Sequence, residues 1–197
     1  MIDFNKIKAA YDLSQDLTLE DLEILLQSAK IKSLSQGECL ITEGSVKKDI
    51  FFIQKGLVRV YKISDKGDEI TTLIRNENQI IASPEIILFN QPSQFYYETM
   101  ESTEVIIIDY NELQTIIAKY PKLEAYQKFV LQNFIKMSFQ RINSFVLQSP
   151  EERYTTYVKS NPDIINRVPD KYIANILGIT PVSLSRIRKR ITTKKIN

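Results

Sequence analysis

The segment TPVSLSRIRKR, residues 180–190, places hydroxyl, guanidinium and ammonium groups on one face of a predicted helix. That face consists of Thr180, Pro181, Val182, Ser185, Arg186 and Lys189. Side chains of these types hydrogen-bond base edges in a major groove. The neighbouring cations would mainly hold phosphates. They are Arg188, Lys189, Arg190 and the pair Lys194 and Lys195. The pattern predicts a helix that enters the groove of a double-stranded nucleic acid.

A short helix has to position this segment, and the preceding residues DKYIANILGI predict one. Gly178 supplies a turn after it, and Thr180 followed by Pro181 makes an N-cap and first-turn pair for the second helix. The predicted inward-facing residues are Ile173, Ala174, Leu177, Ile179, Leu184 and Ile187. The pattern is that of a helix-turn-helix, although helical hairpins also occur in proteins that never touch DNA.

The charge distribution supports contact with a polyanion. The net charge is only +2, but residues 150–197 contain ten Lys and Arg against four Asp and Glu. Residues 1–149 contain sixteen Lys and Arg against twenty Asp and Glu. A basic tail on an acidic body indicates nucleic acid as the first candidate partner. Charge alone is equally compatible with a solvated surface.

The composition argues against catalysis and metal binding. The chain has no histidine, which removes the commonest general base and the usual zinc ligand. Cys39, the single cysteine, cannot hold an iron–sulfur cluster within one chain. Because a Gly-rich phosphate loop and a nucleophile motif are also absent, we expect no catalytic residues, no metal site and no cofactor.

The sequence predicts a cytoplasmic protein. Its N-terminus, MIDFNKIKAAYDL, lacks the apolar run and cleavage site of a secretory signal. Apolar runs such as residues 105–108 are far shorter than the roughly 20 residues that cross a bilayer. A single cysteine has no intrachain disulfide partner, which fits a reducing compartment. We therefore expect no membrane partner.

The first part of the chain predicts an α+β fold built around a β-roll. Residues 37–74 are rich in β-branched and aromatic side chains, with turn signals about every 11 residues. Val58, Val60 and Ile63 lie near a period of two. This spacing is typical of an all-β sandwich or barrel. The strand EVIIIDY closes the region, and a helix with Thr18 as its N-cap precedes it.

Residues 121–148 predict one helix about 40 Å long, at 1.5 Å per residue. Its first apolar stripe consists of Leu123, Tyr126, Val130, Phe134 and Met137. Its second consists of Leu131, Ile135, Ile142 and Val146. One stripe can cover the β domain while the other meets a partner, unless both are buried within one chain. We favour a homodimer, the commonest assembly. The predicted interface is Tyr126, Val130, Phe134 and Met137.

The segments GECLITEG, IFFIQKGLVRVYKISDKGDE and YIANILGITPVSLSRIRKRI, in this order and with a long helix before the last, resemble the Crp/Fnr transcription regulators. The likeness covers nearly the whole chain. It implies a cyclic-nucleotide-binding-like β-roll, a double-stranded jelly roll, over residues 1–118. It further implies a dimerisation helix over residues 119–148 and a winged helix-turn-helix domain over residues 149–197. The implied partners are double-stranded DNA, a second copy and RNA polymerase, with an effector of unknown identity.

Within this resemblance, Arg186 falls where the family's recognition helix often has a base-reading arginine. Pro181 and Val182 stand where the catabolite-activator branch has charged base readers, so the operator sequence does not follow from the likeness. Only TTKKIN remains after the second helix, which is too short for downstream wing strands. A wing would have to come from DIINRVPD, residues 163–170.

The segment EIILFNQPSQFYYETMEST, residues 85–103, is where the resemblance places an effector pocket. Its candidate residues are Glu85, Phe89, Ser93, Gln94, Phe95 and Tyr97. Relatives that bind a cyclic nucleotide have Gly-Glu here, then a loop and a phosphate-binding Arg. In this chain Pro84 replaces the Gly, and Ser93 or Gln94 replaces the Arg. Residues 76–118 contain seven Asp and Glu but no Lys or Arg, which disfavours a buried phosphate. We expect a structural wall, or a pocket for a neutral or apolar ligand lined by the aromatic members of this set.

The leading hypothesis is a homodimeric, sequence-specific DNA-binding transcription regulator that is not controlled by cyclic AMP. The alternative is a small-ligand receptor whose main output is not DNA binding. Binding to genomic DNA fragments, measured with and without candidate ligands, separates the two. An enzyme is a distant third possibility.

Overall fold

The structure is a computed structural model that describes residues 18–194. The elements of its first part are α1 (Leu19–Leu25), β1 (Lys30–Leu34), β2 (Cys39–Ile41), β3 (Asp49–Lys55), β4 (Val58–Ile63), β5 (Glu69–Arg75), β6 (Ile80–Ile81), α2 (Pro84–Phe89), β7 (Tyr96–Thr99) and β8 (Thr103–Asp109). The helices that follow are α3 (Tyr110–Lys119), a 3₁₀ turn (Pro121–Leu123), α4 (Glu124–Leu147), α5 (Pro150–Ser160), α6 (Asp170–Leu177) and α7 (Pro181–Lys194).

The eight strands form two four-stranded sheets in which all paired strands are antiparallel. The strand orders are β1-β8-β3-β6 and β2-β7-β4-β5. This is the strand arrangement of a double-sheet jelly roll. The predicted β-roll, with helices before and after it, is therefore confirmed.

The core of the roll lies between the two sheets. Because alternate residues of a strand point to opposite faces, each strand contributes side chains to this core at a spacing of two. Members of the cluster include Leu34, Ile41, Phe51, Ile53, Val58, Val60, Ile81, Ile86, Tyr97 and Val105. The predicted alternation of Val58 and Val60 is confirmed, whereas Ile63 lies exposed at the end of β4.

Side-chain caps define where the helices flanking the roll begin. Thr18 Oγ1 accepts a hydrogen bond from the Asp21 N–H, and an Asp21 carboxylate oxygen accepts one from the Thr18 N–H. The prediction of Thr18 as an N-cap is thus confirmed. The Asp109 carboxylate accepts hydrogen bonds from two N–H groups in the first turn of α3, those of Asn111 and Glu112. Such caps satisfy amides that have no partner within a helix.

The long helix predicted for residues 121–148 begins with the 3₁₀ turn at Pro121 and continues as α4 to Leu147. None of the 24 residues of α4, all within the described part of the chain, is buried. A helix with this many apolar residues is expected to bury a stripe. An unburied apolar surface of this kind is typical of an interaction site.

Residues 149–194 form three helices and the turns that join them. Ser149 and Glu152 form a capping box at the start of α5, where Pro150 occupies the first turn. The prediction that residues 163–170 could provide a wing is wrong. Residues 162–167 are consecutive turns, and residues 149–194 include no strand. Four buried residues of this segment explain the difference, because Ile164, Val168, Ile173 and Ala174 anchor it on an apolar cluster. A hairpin extending into solvent would remove that anchor.

The helices α6 and α7 form the predicted helix-turn-helix. Leu184 and Ile187 of α7 are buried, as are Ile173 and Ala174 of α6. The turn passes through Gly178, whose φ of 65° lies in the left-handed region. Its N–H donates to the carbonyl of Asn175 at 2.9 Å, and the Ile179 N–H donates to the Ala174 carbonyl. These bonds close the C-terminus of α6 in the manner of a Schellman motif.

Substituting Gly178→Ala tests this turn, with Gly67→Ala as its control. Both glycines have positive φ, but a Cβ at Gly178 would lie 2.6 Å from the Phe145 ring, whereas Gly67 has nothing within 4 Å. We expect Gly67→Ala to lower the free energy of unfolding by about 1 kcal/mol, from backbone strain alone. Gly178→Ala should cost about 2–3 kcal/mol, because the ring must also move. Chemical denaturation measures both. Equal losses of unfolding free energy would show that the Phe145 ring moves aside without lowering stability.

Candidate nucleic-acid interface

The outer face of α7 is exposed as the sequence predicts. Val182 is 60 % exposed, although it is apolar. The other predicted members of this face are likewise exposed: Thr180, Pro181, Ser185, Arg186 and Lys189. Leu184 and Ile187, on the opposite face, are buried. One helix therefore has an anchored apolar face and a free face of hydroxyls and cations, the requirement for a helix that reads base edges.

Local hydrogen bonds fix the start of this helix. The Ser183 N–H donates to Thr180 Oγ1 at 3.1 Å, and the two hydroxyl oxygens lie 3.0 Å apart. Thr180 therefore acts as the N-cap that its position before Pro181 predicts. Since the N-terminal residues of a recognition helix usually contact the bases, a rigid first turn sets the depth of insertion.

Two of the predicted phosphate-binding arginines are engaged within the chain. Arg188 Nη1 lies 2.6 and 2.8 Å from the two carboxylate oxygens of Asp170 at the start of α6. Arg190 Nη1 lies 3.0 Å from a carboxylate oxygen of Glu151 in α5. Each pair ties α7 to a neighbouring helix and partly neutralises the cation. Of the predicted lysine pair, Lys194 ends α7, and Lys195 lies outside the described residues.

The long helix α4, through Arg141, and α5, through Arg153, support α6 from one side. Arg141 Nη2 donates to the Ile176 carbonyl and Arg153 Nε to the Leu177 carbonyl, each at 3.1 Å. Both guanidinium groups also lie over the Phe145 ring, with centroid distances of 5.2 and 4.8 Å. Cations at the C-terminus of a helix satisfy carbonyls that have no partner within it.

The β-roll supports α6 from another side. Leu57 and Ile74 of the roll belong to the same buried cluster as Ile173 and Leu177 of α6. The Thr71 N–H, on the outer edge of β5, donates to Asn175 Oδ1 at 3.2 Å. The helix-turn-helix is thus packed directly on the edge of one sheet.

A buried arginine lies at the same junction. The Arg59 guanidinium lies between the rings of Tyr61 and Tyr172, 3.9 and 4.7 Å from their centroids. Its nitrogens reach Glu69 at 2.7 Å and Glu98 at 3.0 Å. Although burial opposes the charged form, these carboxylates raise the pKa of Arg59 above its usual value. The pairing explains how a cation is tolerated at 4 % exposure.

A second arginine joins the two parts of the chain at the segment between α5 and α6. Arg167 donates to both carboxylate oxygens of Glu77, at 2.7 and 3.0 Å, and to Glu101. The Gly56 N–H donates to Glu77 as well, at 2.9 Å. Burial alone would raise the pKa of Glu77, but hydrogen bonds from Arg167 and from backbone N–H groups lower it to about 2. We call Arg167, Glu77 and Glu101 the clamp.

Reading the sequence did not reveal these junction residues. Arg59 lies within a strand, and Arg167 lies in the stretch assigned to a possible wing. Their partners are 10 to 90 positions away along the chain. One feature of the sequence could have indicated them. Residues 76–118 contain carboxylates but no Lys or Arg, so these carboxylates need cationic partners from elsewhere in the chain.

The predicted effector residues do not form a phosphate site. Glu85 lies in the first turn of α2, where its carboxylate accepts a hydrogen bond from Ser83 Oγ at 2.7 Å. Ser93 is buried, and its hydroxyl hydrogen-bonds the N–H and carbonyl of Phe95. Gln94 is exposed, and its side-chain oxygen accepts from Lys62 at 3.5 Å. Neither residue at the position of the family's arginine presents a cation to the roll interior.

The aromatic members of the predicted pocket do not converge. Phe89 is 65 % exposed at the end of α2, whereas Tyr97 is buried in the roll core and Phe95 packs against that core. Burial raises the pKa of the Tyr97 hydroxyl well above its usual value. Of the two sequence-based alternatives, these positions favour the structural wall.

Residues 18–194 show neither a metal-binding cluster nor a membrane-spanning helix. These residues contain no group of three or more His, Cys, Asp or Glu that could hold a metal ion. None of the helices formed by them is both long and apolar enough to cross a bilayer.

Two of the predicted dimer residues, Tyr126 and Met137, contact their own chain. Tyr126 packs against the cluster of Ile117 and Leu123, and Met137 Sδ lies 3.8 Å from an Arg75 guanidinium nitrogen. Val130 is half-buried and Phe134 is exposed. The second stripe is more exposed and continues to the end of the helix. It comprises Leu131, Ile135, Ile142 and Val146, with Phe139 beside it.

An eight-stranded jelly roll, a long helix with an uncovered apolar stripe and a helix-turn-helix with an exposed polar face define a class of protein. That class is the helix-turn-helix regulator with an N-terminal cyclic-nucleotide-binding-like roll.

Comparisons with known proteins agree with this class. Residues 31–120 match the family described as cyclic nucleotide-binding domain. Electron transport regulator A of Shewanella oneidensis is 24 % identical over 87 % of this chain and 72 % of its own length. The fumarate and nitrate reduction regulatory protein of Vibrio cholerae is 23 % identical over 90 % of this chain and 74 % of its own length. The solved structure of FixK2 from Bradyrhizobium japonicum has a TM-score of 0.72 at 16 % identity, covering 85 % of this chain and 86 % of FixK2.

Over most of its length the chain is similar to transcription regulators of the Crp/Fnr type. The resemblance inferred from the sequence is confirmed. The relatives are named as regulators and not as enzymes, in agreement with the sequence interpretation.

Titration calorimetry with cyclic AMP and cyclic GMP tests the interpretation of the roll. We expect no saturable heat with either nucleotide, because residues 76–118 supply carboxylates and no cation to a buried phosphate. Glu85→Ala should behave like the unchanged chain. Saturable binding at micromolar nucleotide that Glu85→Ala abolishes would show that a phosphate is accommodated without the arginine.

Proposed function

We propose that this chain regulates transcription by binding specific double-stranded DNA sites as a homodimer, with α7 in the major groove. The observation that carries the proposal is the two-sided character of α7. Leu184 and Ile187 anchor it, while Ser185, Arg186 and Lys189 are exposed on its outer face. A guanidinium on such a face can bind guanine through two hydrogen bonds.

Arg186 is the proposed base-reading residue, and Lys189 is proposed to hold a phosphate. Arg186 projects from the middle of α7 and is exposed. Arg188 and Arg190 have a different proposed role, since Asp170 and Glu151 already pair with them. They orient α7 on its neighbours and add a weaker attraction for the DNA backbone.

The second apolar stripe of α4 is the proposed dimer interface. The first stripe contacts its own chain through Tyr126 and Met137. Ile142 and Val146 of the second stripe are 58 % and 74 % exposed. Apolar residues at intervals of three and four pair helices along a continuous seam. A two-fold dimer would then present two α7 helices to half-sites one DNA turn apart, about 34 Å.

The cytoplasm is the proposed compartment, because it is where a bacterial regulator meets DNA. Contact with RNA polymerase is proposed from the resemblance to the Crp/Fnr regulators. The roll is proposed to act without cyclic AMP, since its core is filled by side chains such as Tyr97 and lacks a phosphate-binding cation.

Substituting Arg186→Ala tests base reading. We expect the chain to fold normally and to lose about 1–3 kcal/mol of discrimination at one base pair per half-site. Affinities for a selected genomic site and for a scrambled site, measured by fluorescence anisotropy, give the ratio. An unchanged ratio would rule out this role for Arg186.

The matched control removes two other positive charges that follow Arg186 in the sequence. Lys194→Ala with Lys195→Ala should weaken both DNA duplexes alike and reduce the salt dependence of binding, because phosphate contacts act through counterion release. Loss of discrimination in this control would instead mean that positive charge in general sets the preference.

Substituting Ile142→Glu tests the dimer interface. A glutamate in the apolar seam would be buried without a partner, so we expect the dimer to dissociate. Leu147→Glu is the control, because Leu147 is 77 % exposed but lies on a different face of α4. Light scattering at micromolar concentration gives the masses. A monomer mass for the unchanged chain, or dissociation by both variants, would contradict the interface.

A further inference from the structure

The clamp joins the DNA-binding part of the chain to one end of the roll. Glu77 follows β5 and Glu101 follows β7, so the two carboxylates lie on neighbouring loops. Arg167 lies in the turns between α5 and α6 and binds both carboxylates. These hydrogen bonds are charge-assisted, and the pair with Glu77 is bidentate, the strongest geometry available to an arginine.

The clamp adjoins an apolar contact between the same two parts. Leu57 and Ile74 of the roll pack on Ile164, Val168 and Ile173. Apolar packing of this kind holds two surfaces together but specifies their relative angle weakly. An ion pair with two fixed acceptors specifies the angle, because a rotation breaks at least one of its hydrogen bonds.

The docked arrangement leaves the reading face of α7 free. The roll contacts α6 through Thr71 and Asn175, while Arg186 and Lys189 remain exposed. Docking therefore does not cover the recognition helix. Its effect is on orientation, since α6 carries α7 through the buried residues Ile173 and Leu184.

We infer that Arg167 is a positioning residue for DNA binding, whose ion pairs with Glu77 and Glu101 hold α7 at the angle that two half-sites require. The inference rests on the proposed function, because it assigns no contact between Arg167 and DNA. In a dimer both recognition helices must enter the groove together, so an error in either angle weakens specific binding. Orientation fixed before binding avoids the entropic cost of ordering the domains on the DNA.

Lowering the pH is not a practical way to break the pair of Arg167 with Glu77. The pKa of Glu77, lowered to about 2, lies below that of an unfolded glutamate. A depressed carboxyl pKa stabilises the folded state above the unfolded pKa, and that stabilisation is lost as the pH falls through the folded value. Glu77 therefore keeps its charge at neutral pH, and substitution is the appropriate way to break its pair with Arg167.

The decisive experiment removes the negative charges from the roll side of the clamp. The variant Glu77→Gln with Glu101→Gln keeps an acceptor for the Gly56 N–H but weakens the hold on Arg167. Long-range electrostatics alone predicts tighter DNA binding when two negative charges are lost. We expect the opposite: the double variant should bind a specific site about tenfold more weakly. A factor of this size corresponds to the loss of roughly one charge-assisted pair.

The matched control is Glu43→Gln with Glu104→Gln. Both residues are exposed on the roll, and the charge change is identical. We expect binding to be unchanged or slightly tighter, with the same result for scrambled DNA. If both double variants change the specific affinity in the same direction and by the same factor, the inference is overturned.

A second measurement reports on docking without DNA. The Thr71 N–H faces outward from the edge strand β5, and Asn175 Oδ1 is its acceptor. Loosening the clamp should therefore speed hydrogen exchange at Thr71, while amides in the core strand β3 keep their protection. Arg167→Ala should do the same, and Arg167→Lys should partly restore protection. Exchange at Thr71 that stays unchanged in Arg167→Ala would overturn the inference.

The two proposals fail in different ways. If the unchanged chain shows no sequence preference for any genomic DNA fragment, the proposed function is wrong. If the unchanged chain binds specifically and the clamp variants bind equally well, only the positioning role of Arg167 is wrong. Should the double variant unfold, Glu101→Gln alone is tested in its place. The pair of Arg167 with Glu77 then remains to hold the fold, and only the hydrogen bonds to Glu101 are weakened.

Discussion

Packing of α6 against several neighbours at once is the constraint on which the DNA-binding part depends. One side of this helix meets Leu57 and Ile74 of the roll, and its C-terminal carbonyls accept hydrogen bonds from Arg141 and Arg153. The recognition helix α7 is buried against it through Leu184. An eight-residue helix has little stability of its own, so tertiary contacts must supply it. The same contacts necessarily fix where α7 lies.

The positive charge of the tail serves two separate purposes. Arg153, Arg167 and Arg188 satisfy acceptors within the chain, while Arg186 and Lys189 remain exposed. Counting charges in the sequence treats all of them as available for a polyanion. The structure separates cations that organise the fold from cations that can meet DNA, so the count of ten overstates the charge available to a polyanion. This division favours a protein whose affinity depends on shape and base contacts as much as on net charge.

The all-β region, the long helix and the helix-turn-helix could be predicted because each follows from local patterns, whereas the jelly roll was implied by the resemblance to the Crp/Fnr regulators. Alternation in β4, Pro121 before α4, and Gly178 before Thr180 and Pro181 are all local signals. The wing was predicted wrongly, since burial of Ile164 and Val168 depends on roll residues distant in the sequence. Which stripe of α4 meets a partner did not follow from the sequence, because both stripes are apolar, and contacts such as that of Met137 with Arg75 appear only in the folded chain. The ion pairs of Arg167 could not be predicted from the sequence, because an arginine in a turn is usually solvated.

The edge strand β5 has one consequence for any shortened form of this chain. A strand at the end of a sheet carries unpaired N–H and carbonyl groups, and here α6 covers part of that edge through Asn175. Leu57 and Ile74, both buried, lie under the same helix. A roll expressed without the C-terminal helices would therefore expose an open strand edge beside an apolar patch. Such a fragment would be prone to self-association, with strands from different molecules adding to one another in place of α6.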